Sequence, residues 1–130
     1  MRKIAPIVVL VVLAALTGCR TATIHNVSSA PLTPPPGVRL TLPDVSRSIY
    51  AAGTELGWVM QEVRPGEMTG TLTLRKHVAV VAVRYDTSTF SIDYKDSQGL
   101  NRNGDQIHRN YNLWINNLVK HIQREVARPR

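Results

Sequence analysis

The side chains able to do chemistry in this chain are few, and their spacing decides what they can do. The histidines are His25, His77, His108 and His121. None forms a His-x-x-x-His pair, and His108 and His121 fall far apart along one predicted helix, so no zinc centre is expected. Acid–base work needs two carboxylates in distinct environments of one cleft. Asp93 and Asp96 flank the end of a predicted strand and Asp105 precedes a helix, which reads as solvated strand residues and a helix cap. Asn101-Arg102-Asn103-Gly104-Asp105 lacks the spaced carboxylates and closing glutamate of a calcium loop. There is no Gly-x-Ser-x-Gly elbow. The expectation is a protein that is not an enzyme and holds neither metal nor cofactor.

One polar cluster stands out. Lys95, Arg102, His108, Arg109, Tyr111 and Asn112 fall around a predicted loop and the start of the helix after it, with Tyr94 and Ser97 beside them. Lys95, Arg102, His108 and Arg109 could bind a small anionic or sugar-like group. The same residues could instead pin the loop through side chain–backbone hydrogen bonds. Pinning is the expectation.

The elements that must position these residues follow from hydrophobic period. Val45, Ile49, Ala52, Leu56, Val59 or Met60, and Val63 recur at threes and fours, predicting a helix over 44–63. Asp44 or Ser46 would cap it and Arg64-Pro65-Gly66 would stop it. Gly53 and Gly57, a turn apart, predict a close neighbour, a sheet or the second helix. Residues 67–75 alternate, with Met68, Leu72 and Leu74 on one face and Thr69, Thr71 and Thr73 on the other. Residues 78–85 are apolar on both faces, as in a middle strand. Residues 90–95 alternate again, with Phe90, Ile92 and Tyr94 inward. After a polar loop at 96–106, a helix over 107–127 carries Ile107, Tyr111, Trp114, Ile115, Leu118, Ile122 and Val126 as its stripe.

The order α-β-β-β-α predicts an α+β domain over 44–127. Its expected form is a three-stranded antiparallel meander with two helices on one face, and Trp58, Trp114 and Phe90 between the layers. Either Val78, Val80 and Ala82, or the alternate set Ala79, Val81 and Val83, would then line the uncovered face. Flanked by threonines, Val78, Val80 and Ala82 are a candidate interface for a protein partner.

Residues 20–43 contain Pro31, Pro34, Pro35, Pro36 and Pro43. Proline fixes φ and removes a donor, so the segment reads as an extended tether. The alternative is that Val38, Leu40 and Leu42 pack on the domain as a strand-like stretch. Before it, Arg2 and Lys3 precede an apolar run over 4–16, short of the ~20 residues a permanent spanning helix needs. That run ends in Leu16-Thr17-Gly18-Cys19, and Cys19 is the chain's single cysteine.

Leu16-Thr17-Gly18-Cys19 resembles the bacterial lipobox. The resemblance implies a signal peptide over 1–18, cleavage before Cys19, and a covalent lipid on the Cys19 thiol. With Arg20 rather than aspartate next in line, it implies the periplasmic side of the outer membrane. Residues 19–43 would be the lipidated cysteine and its tether. The chain has 16 basic and 9 acidic residues; losing 1–18 removes Arg2 and Lys3 and no acid, leaving 14 against 9, a formal +5. Export argues against nucleic acid as the partner of that charge and leaves two readings: attraction to anionic envelope surfaces such as lipid headgroups, lipopolysaccharide or cell-wall glycan, or solubility alone, which is the expectation. The membrane, through the anchor, and an envelope protein are the expected partners.

Gly57-Trp58, LRKHVAVV at 74–81, SIDYKDS at 91–97 and IHRNYNLWINNL at 107–118 extend the likeness. They resemble a group of small uncharacterised Gram-negative bacterial lipoproteins. That resemblance implies an address and carries no assigned functional residue.

Overall fold

The computed structural model describes residues 20–130. Residues 1–19, on which the expected signal peptide and Cys19 fall, lie outside the described residues. The order is β1 (Thr21–Thr23), β2 (Val27–Pro31), α1 (Leu42–Glu55), β3 (Val59–Arg64), β4 (Glu67–Leu74), β5 (His77–Tyr85), β6 (Thr89–Gln98), β7 (Gln106–His108) and α2 (Asn110–Ala127). The class is α+β, as expected. The sheet is larger than a three-stranded meander. Five antiparallel strands run in the order β2-β6-β5-β4-β3, and β1 pairs with β7 in a separate two-stranded ribbon.

The predicted strands are β4, β5 and β6, with β5 in the middle. Ala79, Val81 and Val83 of β5 are buried in one continuous core with Val45, Ile49 and Ala52 of α1 and Ile115, Leu118, Ile122 and Val126 of α2. Both helices therefore cover the same sheet face.

The 44–63 helix is corrected. α1 is capped by Thr41, whose hydroxyl accepts from the Asp44 N–H at 3.3 Å while the Asp44 carboxylate accepts from the Thr41 N–H at 2.9 Å. The helix ends at Glu55, and Gly57 turns the chain at φ +91°. Trp58 is buried, and from Val59 the chain becomes β3, with Met60 buried and its neighbours Val59 and Gln61 exposed. Pro65-Gly66, with Gly66 at φ +89°, then forms a hairpin turn between the paired Arg64 and Glu67. Gly53 serves the close approach, and its neighbour is the sheet: a Cβ there would stand 2.5 Å from the Met60 sulfur.

The tether is corrected as well. Thr21↔His108 and Thr23↔Gln106 pair β1 with β7, and Val27↔Ile92 and Ala30↔Phe90 pair β2 with β6. Leu32 and Leu40 are buried, and Val38 and Leu42 pack against the core. Leu42 begins α1, and Val38 and Leu40 belong to no strand. The prolines fall where no donor is needed: Pro31 ends an edge strand, and Pro43 stands in the first turn of α1.

The second helix begins at Asn110, because Ile107, though fully buried, belongs to β7. Trp58 and Phe90 lie between the layers, whereas Trp114 is half-buried at their margin and Leu74 is exposed. None of the described helices is long and apolar enough to cross a membrane.

Candidate functional site

The predicted polar cluster is scattered along one margin of the domain; Asn112, His108 and Arg102 serve the chain itself, whereas the Lys95 and Arg109 head groups have no partner among the described residues. Asn112, in the first turn of α2, holds β1: its Nδ2 donates to the Thr23 carbonyl at 2.9 Å, and its Oδ1 accepts from the His25 N–H at 3.0 Å. His108 Nδ1 accepts from the Asn110 N–H at 3.1 Å, standing in for the side-chain cap that α2 lacks. The Arg109 N–H donates to the Arg20 carbonyl at 2.9 Å. Arg102 lies over the Tyr94 ring, 4.8 Å from its centroid. The Tyr94 hydroxyl stands 2.7 Å from the Ser97 hydroxyl, and its ring meets Tyr111 edge to face.

Lys95 is the extra residue of a bulge. Val81 pairs with Tyr94 but Val80 pairs with Asp96, so Lys95 has no partner across the ladder and points into solvent. Asn26 closes the same region by accepting the Tyr94 N–H at 3.0 Å. Nothing local in the sequence marks Asn26, since its partner is distant in the chain.

Tyr111 is fully buried, and its hydroxyl has no hydrogen-bond partner among the described residues. Burial pushes its phenol well above the ordinary value, and Tyr94 and Asp93 push the same way. This is a core residue, unable to offer its hydroxyl to a ligand at the surface.

Asp93 forms an ion pair with Arg84 at 2.7 Å, and the Asp105 carbonyl accepts the Ile24 N–H; Asp105 does not cap α2. Among the described residues, no three or more His, Cys, Asp or Glu side chains gather as a metal site. A hollow of about 280 Å³ opens elsewhere, between the start of α1 and the β3–β4 turn, lined by Leu42, Pro43, Glu62 and Tyr85 among others. It includes no residue of the cluster.

No family model matches this chain, and no curated protein or solved structure is significantly similar to it.

The uncovered sheet face is the other candidate. Register places Val59, Thr71, Val80 and Asp96 in one row across four strands, and Gln61, Thr69, Ala82 and Asp93 in the next. Val78 and Val80 are half-buried, whereas Ala82 is only 8% exposed and offers little area to a partner. The open apolar surface lies instead on β3, where Val59 is 63% and Val63 50% exposed. A helical reading of 44–63 hid both: it placed them on the buried stripe.

Proposed function

We propose that this chain is a lipid-anchored protein of the periplasmic side of the outer membrane, and that it works by contact with another envelope protein rather than by catalysis. The carrying observation is the bare outer face of the sheet. Both helices lie on the opposite side, and the row from Val59 through Thr71 to Val80 runs from an exposed valine to half-buried threonine and valine side chains. β3 is also an edge strand, whose unpaired backbone groups can accept a partner strand. Leu16-Thr17-Gly18-Cys19 supports the anchor, and Arg20 supports the outer-membrane address.

A photo-crosslinking residue at Val59, compared with one at the likewise exposed Tyr50 on α1, tests the contact. In intact cells the Val59 position should give one discrete protein adduct that Tyr50 does not. Identical patterns at both positions, or none at Val59, would remove the reading.

A second reading, a module for an anionic envelope component, draws on Arg20, Arg75, Lys76 and Arg109. All four are exposed and lack an ion-pair partner among the described residues.

A further inference from the structure

Because β1 and β2 fold into the domain, no spacer separates a lipid on Cys19 from the globule. The Arg20 carbonyl is already bound to the Arg109 N–H, and consecutive Cα atoms stand about 3.8 Å apart. Acyl chains on Cys19 would therefore begin at the margin where β1, β7 and the start of α2 meet, and would turn that margin toward the bilayer.

Several features gather there. The His108 N–H donates to the Leu100 carbonyl at 2.8 Å, and the His108 ring lies 6.1 Å from that of His77. His77 follows the two-residue turn Arg75-Lys76 and lies 6.4 Å from Trp114. Leu74 and Trp114 line one small hollow with Leu56 at the end of α1. Exposed Arg20, Arg75, Lys76 and Arg109 thus share this end with two of the exposed large apolar side chains, Leu74 at 45% and Leu113 at 56%. Elsewhere Arg47, Arg64, Arg84, Arg128 and Arg130 each face a carboxylate, whereas Arg39, Lys120 and Arg124 are exposed and, among the described residues, unpaired. Acidic residues near this side are Glu55, beside Leu56, and Asp105, which is exposed just before β7.

Arg75 adds an independent sign. It sits at φ +56°, a conformation that glycine enters freely and an L side chain enters at a steric cost. The turn carries a cation in spite of that cost.

We propose that this end of the domain is a membrane-docking face. Arg20, Arg75, Lys76 and Arg109 meet the anionic phospholipid surface of the membrane that holds the Cys19 lipid, and Leu74 and Leu113 enter its headgroup layer. The orientation rests on the anchor reading above; the affinity for anionic lipid does not. Basic side chains near such a surface each strengthen attraction about fivefold, and salt screens the effect over about 10 Å at 0.1 M.

The test uses the unlipidated chain from Arg20 onward, which contains the whole described core. It is floated with vesicles of phosphatidylglycerol and phosphatidylcholine, and with phosphatidylcholine alone. Binding should require the anionic lipid and weaken with salt. Arg75→Gly should bind about fivefold less tightly, and Lys76→Gln with Arg109→Gln about 25-fold less. Arg75→Gly relaxes the turn, so its melting temperature should equal or exceed that of the parent, separating lost binding from lost folding. In a Trp58→Phe background, brominated lipid should quench Trp114. No flotation, equal flotation with neutral vesicles, or unweakened binding by these variants would overturn the proposal. Palmitate labelling of the full chain reports on Cys19 separately: its failure would remove the anchor and leave the vesicle result standing.

Discussion

The Arg109 N–H donates to the Arg20 carbonyl across 2.9 Å, fastening the first described residue to the start of the last helix. That bond closes the ladder in which Thr21 pairs with His108, so both ends of the described chain are built into one unit. A lipid on Cys19 would hold such a unit against the membrane, whereas a free proline-rich tether would let it roam.

Asn112 clamps the same ribbon with two hydrogen bonds, to the Thr23 carbonyl and from the His25 N–H. Asn112→Ala loses both at a partly exposed site, where each contributes about 1 kcal/mol. The expected cost is roughly 1–2 kcal/mol in denaturant unfolding. Amide exchange should accelerate in β1 and stay unchanged in β5. Uniform acceleration across the sheet would show that the clamp is not local.

Leu118 and Trp114 share a helix and differ in surroundings. Leu118 is fully buried between the layers, while Trp114 is half-buried at their margin. Leu118→Ala should cost about 2–5 kcal/mol, as truncations in close-packed cores do. Trp114→Ala should cost less than Leu118→Ala, despite removing the larger side chain. Paired chevron or equilibrium measurements on the two variants rank them, and the reverse order would contradict the packing.

β4 and β6 were legible because strict alternation has one physical meaning, a sheet with two unlike faces, and β5 because a short apolar run between two alternating strands fits a middle strand. β3 was not. Leu56, Met60 and Val63 fit a helical stripe, although the strand puts Met60 and Val63 on opposite faces, and only the break at Gly57 separates the readings. Ile107 fell in phase with the stripe of α2 for the same reason, yet it belongs to β7. β1 and β2 are short and sit among prolines, and their pairing partners lie in β7 and β6, far along the chain. No local pattern reports such pairing. The cluster around Asn112 and His108 was legible as polar residues near a loop. Its use as a clamp on β1 depended on a strand that composition concealed.

Asp44 and Asp86 make stability fall in acid. The Thr41 N–H, then its hydroxyl, hold the Asp44 carboxyl below its ordinary range, outweighing a small effect of burial, with Arg130 and Arg47 assisting. For Asp86 the donors are the N–H groups of Thr89 and Ser88. A depressed folded value means the contribution is whole above the unfolded value, 3.8 for either residue, and is lost as pH falls through the folded one. Asp44→Asn with Asp86→Asn should flatten stability measured between about pH 5 and pH 2. An unchanged acid slope would assign the loss to other carboxylates.

Cys19→Ser should abolish metabolic palmitate labelling and leave the uncleaved precursor, because the thiol is the lipid acceptor that the Leu16-Thr17-Gly18-Cys19 resemblance implies. Two or three acyl chains give stable anchoring at about 0.8 kcal/mol per buried CH₂, so the variant should also leave the outer-membrane fraction. Normal processing of Cys19→Ser would refute the anchor.

Tyr111 offers the opposite pH dependence and a route to a more stable protein. Its ring fills the core against Tyr94, but its hydroxyl is buried with no partner among the described residues. A buried hydroxyl without a hydrogen bond costs about 1–3 kcal/mol, so Tyr111→Phe should raise stability by roughly 1 kcal/mol or more while keeping the ring. Burial also holds the phenol protonated above its ordinary 10.0. The unfolded chain therefore ionises first, and stability that is whole below about pH 10 is lost as pH rises through the folded value. Tyr111→Phe removes this source of alkaline loss, so its unfolding curves at about pH 8 and pH 11 should differ less than those of the parent. A destabilised Tyr111→Phe would mean that the hydroxyl has a partner, and an unchanged alkaline slope would mean that another tyrosine carries the titration.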